Sequence, residues 1–224
     1  MPRVADHDQR RELMTRAFQR LLAAEGIGRV SFTRVAAEAG ISVGLIQHYF
    51  ANKDELLRFS YRDCLRRSAE RVAARIRAGE AAAEPISAML LASLTELLPL
   101  DAERTVEFRV ERNLWLLSLH DAELAELAHR ATADLHGRIV TAIENGKECG
   151  EVRLEVDGST AATMILSATR GLADALSMRP GPALDAAAVD AVLKPVVSVV
   201  FTGRCRHYDP GTGGRVPDSE TDVQ

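Results

Sequence analysis

Apolar residues recur along this chain at the spacing of an α-helix, and glycine or proline interrupts the pattern at intervals. The first such segment spans residues 8–25 and stops at Gly26, a residue type that commonly ends helices. Four apolar residues share one face of this segment and are expected to pack against the rest of the protein: Leu13, Ala17, Leu21 and Leu22.

Further segments of the same character follow. They predict helices at residues 32–39, 43–51, 52–78, 85–98, 102–119, 122–148, 159–177 and 185–201. No segment has a convincing strand pattern. The chain is therefore predicted to be all-α, with about nine helices and a disordered tail at 203–224 that is rich in Gly, Pro, Asp and Thr.

Residues at the predicted helix ends support these limits. Ser31, Ser42 and Asp121 stand where a side-chain oxygen can cap the first turn of a helix. Pro85 suits a first turn because its fixed φ and its missing N–H cost nothing there.

Two of the predicted helices, 32–39 and 43–51, are short and follow each other closely. Helices that cross steeply need a small residue where their backbones approach, here Ala36, and a residue that tolerates positive φ at the corner, here Gly40. This is the spacing of a helix-turn-helix, whose second helix lies in the DNA major groove. Five apolar residues can lock the pair against the first helix: Val35, Ala39, Ile41, Ile46 and Tyr49.

Charge is unevenly distributed, and this favours a nucleic-acid role for the N-terminal third. Residues 1–77 carry 15 Lys and Arg against 9 Asp and Glu, a balance of +6, whereas the remaining residues carry 13 against 23, a balance of −10. The first part therefore suits a polyanion and the second does not.

The second short helix presents side chains that fit a duplex. Gly44 lets the backbone come close, and Gln47 can bond an adenine edge or a phosphate. His48, Tyr49 and Lys53 are spaced to contact phosphate oxygens. Gln47 is thus the residue best suited to distinguish bases.

The segment VSFTRVAAEAGISVGLIQHYFANKDELL resembles the DNA-binding segment of TetR-family transcriptional regulators. The resemblance implies an all-helical homodimer, with a helix-turn-helix DNA-binding domain at 1–52 and a larger effector-binding and dimerisation domain at 53–202 that begins with a connecting helix at 53–78. Many members have tyrosine or tryptophan where this chain has Gln47, so operator preference does not carry over. The DNA-facing residues expected here are Ser31, Thr33, Arg34, Ser42, Val43, Gly44, Leu45, Gln47, His48, Tyr49 and Lys53.

The segment RGLADALSMRPGPALDAAAVDAVLKPVVSVVF is more loosely similar to the subgroup that includes the choline-responsive repressor of glycine betaine synthesis. Arg170 stands where an acidic residue is common in that subgroup. A quaternary ammonium ligand needs several aromatic rings around one cavity. Beyond Arg77 the chain has only Phe108, Trp115, Phe201 and Tyr208, so choline is not favoured.

The last two predicted helices carry apolar stripes that fit either a four-helix dimer interface or the core of one chain. The residues assigned to the interface are Ala162, Ile165, Leu172, Leu176, Val189, Val192, Val196 and Val199. A two-fold dimer would read two inverted half-sites, so a palindromic operator is expected. The residues assigned to an effector pocket are Met89, Phe108, Arg112, Trp115, Leu119 and Arg170, with core packing an equal alternative for Trp115.

Other features narrow the function classes. Cys64, Cys149 and Cys205 are widely separated in sequence and are interpreted as free thiols in a cytoplasmic protein, without a metal or cofactor. The sequence shows neither a secretory signal nor an apolar run long enough to span a membrane. It also shows no recognisable catalytic constellation, so the protein is not expected to be an enzyme. A ligand-responsive repressor is predicted; the alternative is a protein-binding helical adaptor whose helix-turn-helix is only structural.

Overall fold

The computed structural model describes residues 2–178, 186–206, 208–209 and 214–215. In these ranges the chain forms nine α-helices, a single 3₁₀ turn at Ile27–Arg29 and two very short strands. The helices are α1 Pro2–Glu25, α2 Phe32–Ala39, α3 Val43–Tyr49, α4 Lys53–Ala81, α5 Ile86–Thr95, α6 Ala102–Ser118, α7 Ala122–Cys149, α8 Gly158–Ser177 and α9 Ala186–Val200. The predicted all-α class is confirmed.

Most helix limits follow the sequence signals, and the exceptions have local causes. α1 begins at Pro2 instead of residue 8, since proline is well tolerated at the first helical position. α5 stops at Thr95 because the backbone N–H groups of residues 96–98 bond three residues back, which tightens the chain ahead of Pro99. The predicted start of the last helix at Asp185 lies outside the described residues.

The tail expected to be disordered is ordered in part, which corrects that prediction. Strand β1, Tyr208–Asp209, pairs antiparallel with β2, Gly214–Arg215. Upstream of β1, the backbone N–H of Gly203 donates to Glu151 O at 2.9 Å, and that of Arg206 donates to Cys149 O at 2.7 Å. Backbone pairing of this kind is not visible in composition, on which the prediction depended. The other tail residues from 207 onward lie outside the described part.

Two compact units can be distinguished. The first comprises residues 1–67 and 101–131, so it contains α1, α2, α3 and α6 with parts of α4 and α7. Its core is built on the Met14, Phe18 and Leu22 side of α1 and not on Leu13, which is 43% exposed. The buried face of α1 thus includes Met14 and Phe18, which the prediction left out, and it excludes Leu13.

The second unit comprises residues 68–100 and 132–224. Within it α8 packs against α9, and α5 also contacts α9. Its buried apolar residues include Leu90, Leu94, Ile139, Ile143, Ile165 and Leu193. The domain limits expected from the sequence, 1–52 and 53–202, stay predictions. Among the described residues, no helix is both long and apolar enough to cross a membrane.

Candidate nucleic-acid interface and ligand pocket

The turn between α2 and α3 has the geometry expected of a helix-turn-helix corner. Gly40 adopts φ 67° and ψ 33°, the left-handed region in which glycine avoids the steric cost of a side chain. The N–H of Ile41 then bonds to Ala36 O at 3.0 Å, closing the end of α2. Ala36 is buried at this corner, so a larger residue would push the helices apart.

Serine hydroxyls cap both short helices. Ser31 Oγ accepts from the N–H of Arg34 at 3.4 Å, and Ser42 Oγ accepts from the N–H of Leu45 at 3.2 Å. Seven-residue helices such as α3 are too short to be stable alone, so these caps and the buried residues Val35 and Ile46 hold them in place.

The outer face of α3 is open to solvent. Ser42, Gly44, Gln47 and His48 are all exposed, and a Cβ added at Gly44 would meet no atom of the chain within 4 Å. An external backbone can therefore approach α3 closely along this face. Neighbouring Val43 and Leu45, also predicted to face DNA, are half-buried and pack against the core of the first unit.

Tyr49 lies between two histidines at the end of α3. Its ring centroid is 4.5 Å from that of His7 in α1 and 5.4 Å from that of His48, the second pair edge-to-face. The ring is half-buried. These contacts orient Tyr49, and His7 is a neighbour that sequence spacing did not suggest.

Lys53, the first residue of α4, is held by the protein. Its ammonium donates to Ile27 O at 3.1 Å, so the side chain is half-buried. The start of α4 is capped by its neighbours: Asn52 Oδ1 accepts from the N–H of Glu55 at 2.8 Å, and Glu55 Oε2 accepts from the N–H of Ala51 at 2.7 Å. An ammonium has three donors, so Lys53 keeps capacity for a further acceptor.

Arg34 is exposed at the start of α2, but it already has a partner. Its guanidinium donates to both carboxylate oxygens of Glu25 and to Arg29 O. The hydrogen bond from Arg34 lowers the pKa of the Glu25 carboxyl below its ordinary value. Thr33 and Ser31 are exposed beside it.

A polar network lies inside the first unit and was not foreseen. Arg67 of α4 donates to Gln19 Oε1 at 2.9 Å and to Glu103 Oε1 at 2.9 Å, and its Nε lies 3.4 Å from Asp63 and 3.5 Å from Glu107. Gln19 also donates to Ser60 O and to Asp63. Burial disfavours the charged form of Arg67, but the neighbouring acidic groups outweigh it and raise the pKa of Arg67.

A cavity of about 310 Å³ lies within the second unit. Most of its lining is aliphatic, and within the described part of the chain no aromatic residue contributes. Ser93 in this lining is 8% exposed, and its Oγ has no hydrogen-bond partner. Arg138, which also lines the cavity, is mostly exposed and pairs with Asp134 at 2.9 Å. The aliphatic lining residues include Val72, Ile76, Met89, Leu90, Leu94, Leu97, Leu135 and Ile139.

Met89 is the one predicted pocket residue among those that line this cavity, so the effector pocket assigned to the other five stays a prediction. Met89 lines it, but Arg170 instead donates to Thr132 Oγ1 at 2.8 Å. The other four, Phe108, Arg112, Trp115 and Leu119, belong to the first unit. Phe108 is buried there, and the Arg112 guanidinium lies 5.2 Å from its ring centroid. Trp115 and Leu119 are both more than half exposed. Residue type alone does not show which helices come together.

The residues predicted to form a dimer interface divide between the core of the single chain and its surface. Ala162, Ile165, Leu172 and Val189 are buried inside the single chain, so they have no surface left for a partner. Leu176 and Val196 are half-buried, whereas Val192 and Val199 are 44% and 68% exposed. A third exposed apolar side chain is Met164 of α8, which is 40% exposed. An apolar stripe broad enough to cover two faces could not be divided between them from the sequence.

Two of the three cysteines converge although they are far apart in sequence. One ligand atom from each of Cys149, Glu151 and Cys205 lies within 4.8 Å of the other two. Burial raises the pKa of the Cys149 thiol to about 12. Cys64 lies apart in the first unit, where burial likewise raises its pKa to about 12. All three are free thiols, as interpreted from the sequence, and the proximity of Cys149 and Cys205 is the feature that their sequence separation did not show.

Two family models match the chain. Residues 16–58 match the tetR family of bacterial regulatory proteins, and residues 85–201, more than half of the chain, match the C-terminal domain of BetI-type transcriptional repressors. These matches confirm the resemblance to the TetR family that the sequence indicated. Both family models describe transcriptional regulators and not enzymes.

Curated relatives are likewise named as transcriptional regulators of the helix-turn-helix type. The chain is 29% identical over 131 residues to the transcriptional regulator PksA of Bacillus subtilis, an alignment that covers 58% of this chain and 61% of PksA. It is 27% identical to BetI of Cronobacter sakazakii, over 70% of this chain and 77% of that protein. It is 30% identical to BetI of Stenotrophomonas maltophilia, over 57% and 63%. The chain thus spans less than two thirds of several of these relatives.

Solved structures share the fold at low identity. A transcriptional regulator from Rhodococcus sp. Rha1 is 23% identical with a TM-score of 0.70, covering 86% of this chain and 96% of that one. A regulator from Saccharomonospora viridis in complex with choline is 20% identical with a TM-score of 0.73, covering 84% and 94%. At such identities the likeness concerns the fold alone.

Proposed function

Since this chain belongs to the TetR family of transcriptional regulators, with a BetI-type repressor domain in its C-terminal part, we propose that it is a ligand-responsive repressor of transcription. In this proposal it acts in the cytoplasm as a homodimer and binds a palindromic operator. A small effector changes its affinity for that operator, and it can do so only through different affinities for the DNA-binding and non-binding arrangements.

The observation that carries the proposal is the open outer face of α3. Four residues on this face are exposed on a capped helix that follows a left-handed glycine corner: Ser42, Gly44, Gln47 and His48. Gln47 is assigned to base edges because a carboxamide can bond adenine N6 and N7 together. His48, Tyr49 and Lys53 are assigned to phosphates, which fix the register without reading sequence.

Homodimerisation is assigned to the exposed apolar residues of α8 and α9. Met164, Val192 and Val199 leave apolar surface on these two helices, which pack together within one chain. A two-fold copy of this helix pair would bury that surface in a four-helix arrangement. Two α3 helices then read inverted half-sites roughly one helical turn, ~34 Å, apart.

The effector is assigned to the cavity of the second unit. Its aliphatic lining suits an apolar molecule, and the unpaired Ser93 hydroxyl suits a ligand with one hydrogen-bonding group. The related regulator from Saccharomonospora viridis was solved with choline. Choline is not the expected effector of this chain, since none of the described residues that line the cavity has an aromatic ring to receive a quaternary ammonium.

Selection of bound duplexes from a random pool tests DNA recognition. The purified chain and Gln47→Ala are compared at one salt concentration, with Asn113→Ala in α6 as a control that removes the same carboxamide elsewhere. An enriched palindrome is expected for the wild type and for Asn113→Ala, with preference lost at matched positions of both half-sites in Gln47→Ala. Enrichment unaffected by Gln47→Ala would contradict its assignment. An absence of salt-dependent duplex binding, with or without aliphatic additives, would favour the protein-binding adaptor.

Release of the selected duplex tests the effector site. Straight-chain aliphatic compounds with one polar end are expected to change duplex affinity, and choline is not. Ala142→Trp places a large ring at the cavity lining and should abolish the response, whereas Ala133→Trp, an exposed position on the same helix, should leave it intact. A response to choline that survives Ala142→Trp would place the effector elsewhere.

A further inference from the structure

We propose that Cys149, Glu151 and Cys205 form a binding site for a borderline or soft divalent cation of the Zn²⁺ class. Their ligand atoms lie within 4.8 Å of one another. In a tetrahedral zinc site with Zn–S bonds of about 2.3 Å, two sulfurs stand roughly 3.8 Å apart, so the site needs to close by only about 1 Å. Thiolate and carboxylate are both zinc ligands, and water can take a fourth position.

Glu151 is held in a fixed orientation, as metal ligands commonly are. It is only 2% exposed, and its Oε1 and Oε2 accept from the backbone N–H groups of Ile86 at 2.8 Å and Ser87 at 3.0 Å. Cys149 Sγ lies 3.4 Å from Oε1. A carboxylate offers about four lone-pair positions, so both oxygens keep capacity to bind an ion after these contacts.

The backbone brings the two cysteines together by specific pairing. Arg206 N donates to Cys149 O at 2.7 Å and Gly203 N donates to Glu151 O at 2.9 Å, so the segment carrying Cys205 runs along residues 149–151. A Cβ at Gly203 would lie 2.1 Å from Gly150 O. Only glycine fits this approach, and the convergence of the ligands is therefore built into the sequence.

The donor set selects the kind of ion. Two thiolates favour zinc and its softer relatives over Mg²⁺ and Ca²⁺, which prefer oxygen ligands. When the ion binds, two metal–sulfur bonds replace two S–H bonds and both protons pass to solvent. Two thiolates, one carboxylate and a dication leave one negative charge, and the Arg206 side chain lies beside Gly150 to offset it. Cys205 is half-exposed, which gives an ion access from solvent.

An occupied site would act on the cavity of the same unit. Glu151 caps the start of α5, and α5 supplies five of the residues that line the cavity: Ile86, Met89, Leu90, Ser93 and Leu94. Fixing Glu151 therefore fixes the first turn of a cavity wall. The proposal itself does not rest on DNA binding, so it stands or falls separately from the proposed function.

Titration with Co²⁺ followed by displacement with Zn²⁺ tests the site, using the full reduced chain. Tetrahedral Co²⁺ on thiolates gives intense visible bands and a sulfur-to-metal charge-transfer band. We expect one ion per chain, with these bands present in the wild type and in Cys64→Ser, the matched thiol control in the first unit. Cys205→Ser should weaken binding by about 100-fold or more, beyond the loss of an outer partner. Zn²⁺ should raise the Tm of the wild type and not of Cys205→Ser.

Any one of three results would overturn the proposal. One is an absence of thiolate bands in the wild type at saturating Co²⁺. Another is bands that persist in both Cys149→Ser and Cys205→Ser, which would place the ion elsewhere. Mass spectrometry of the alkylated protein adds a decisive outcome: if the freshly isolated chain carries a Cys149–Cys205 disulfide and the reduced chain binds no Zn²⁺, the pair is an oxidation site and not a metal site.

Discussion

Arg34 is predicted to face DNA, but its guanidinium already has a partner within the protein. Its guanidinium is bound to both oxygens of Glu25, and both groups are on the surface. A phosphate must therefore compete with an existing carboxylate partner. The strength of this competition is measurable because either partner can be neutralised alone.

Neutralising Glu25 is expected to strengthen duplex binding. In Glu25→Gln, Arg34 is freed for a phosphate, so affinity should rise at low salt for all duplexes and the salt slope should steepen by about 0.9 per added phosphate contact. Equilibrium binding over a range of salt concentrations measures both. The double variant Glu25→Gln with Arg34→Gln should lose the gain; if it keeps the gain, Arg34 is not the group that reaches DNA.

The same pair predicts a pH effect of known sign. Arg34 lowers the pKa of Glu25 below the ordinary 4.5, so the pair adds stability above that value, and the contribution is lost as pH falls through the lower folded-state pKa. Both groups lie at the protein surface, where solvent screens the pair, so the effect is small. NMR titration of the Glu25 carboxyl should give a pKa below 4.5 in the wild type and a return toward 4.5 in Arg34→Gln. An unchanged titration in Arg34→Gln would show that the pair does not persist in solution.

At the scale of the element, Ser42 has two assigned roles that substitution can separate. Its hydroxyl caps α3, so Ser42→Ala should cost about 1 kcal/mol of unfolding free energy. Ser42→Asp keeps the cap and suits the helix dipole, so stability should hold while its charge repels phosphate and weakens duplex binding. Urea unfolding and duplex titration measure the two effects. Equal duplex affinity for Ser42→Asp and the wild type would remove Ser42 from the DNA face.

The Arg67 network joins three helices and should be the costliest polar site to disrupt. Gln19 comes from α1, Asp63 from α4, and Glu103 and Glu107 from α6. Arg67→Met removes the guanidinium that lies against both the Asp63 and the Glu107 carboxylates, of which Asp63 also pairs with Arg66, and we expect a loss of about 3 kcal/mol in chemical denaturation. Adding Glu107→Gln should recover part of it. A loss below about 1 kcal/mol would mean that water replaces the guanidinium.

Elements could be predicted from the sequence where the cause is local. The Ser31 and Ser42 caps and the Gly40 corner are set by residues within a few positions, and each lies where expected. The same locality gave the length of most helices. The Arg67 network depends on contacts between distant parts of the chain, such as the hydrogen bond between Gln19 and Arg67, which are 48 positions apart, and no spacing rule connects these residues.

At the scale of the whole molecule, sequence reasoning failed where a surface must be assigned to one of two partners. The stripes on α8 and α9 were recognised, but whether a residue faces its own core or a second chain depends on packing. Ile165 and Val189, predicted to lie in a dimer interface, are buried in the core of the single chain. The cavity is lined mostly by aliphatic residues, whose types alone do not distinguish a ligand site from core packing.

Dimerisation through these exposed residues predicts a linked loss of assembly and of DNA binding. Val199→Asp puts a charge at a 68% exposed site on α9 and should yield monomers in sedimentation velocity, because a buried unpaired carboxylate opposes the interface. Leu154→Asp makes a comparable change at a 79% exposed site in the loop before α8 and should remain a dimer. Since two half-sites bound by one dimer reinforce each other, the Val199→Asp monomer should bind the palindrome far more weakly than the wild type, yet bind a single half-site as well as the wild type does. Monomers that retain full affinity for the palindrome would show that the two DNA-binding units act independently, and a dimeric Val199→Asp would move the interface away from α9.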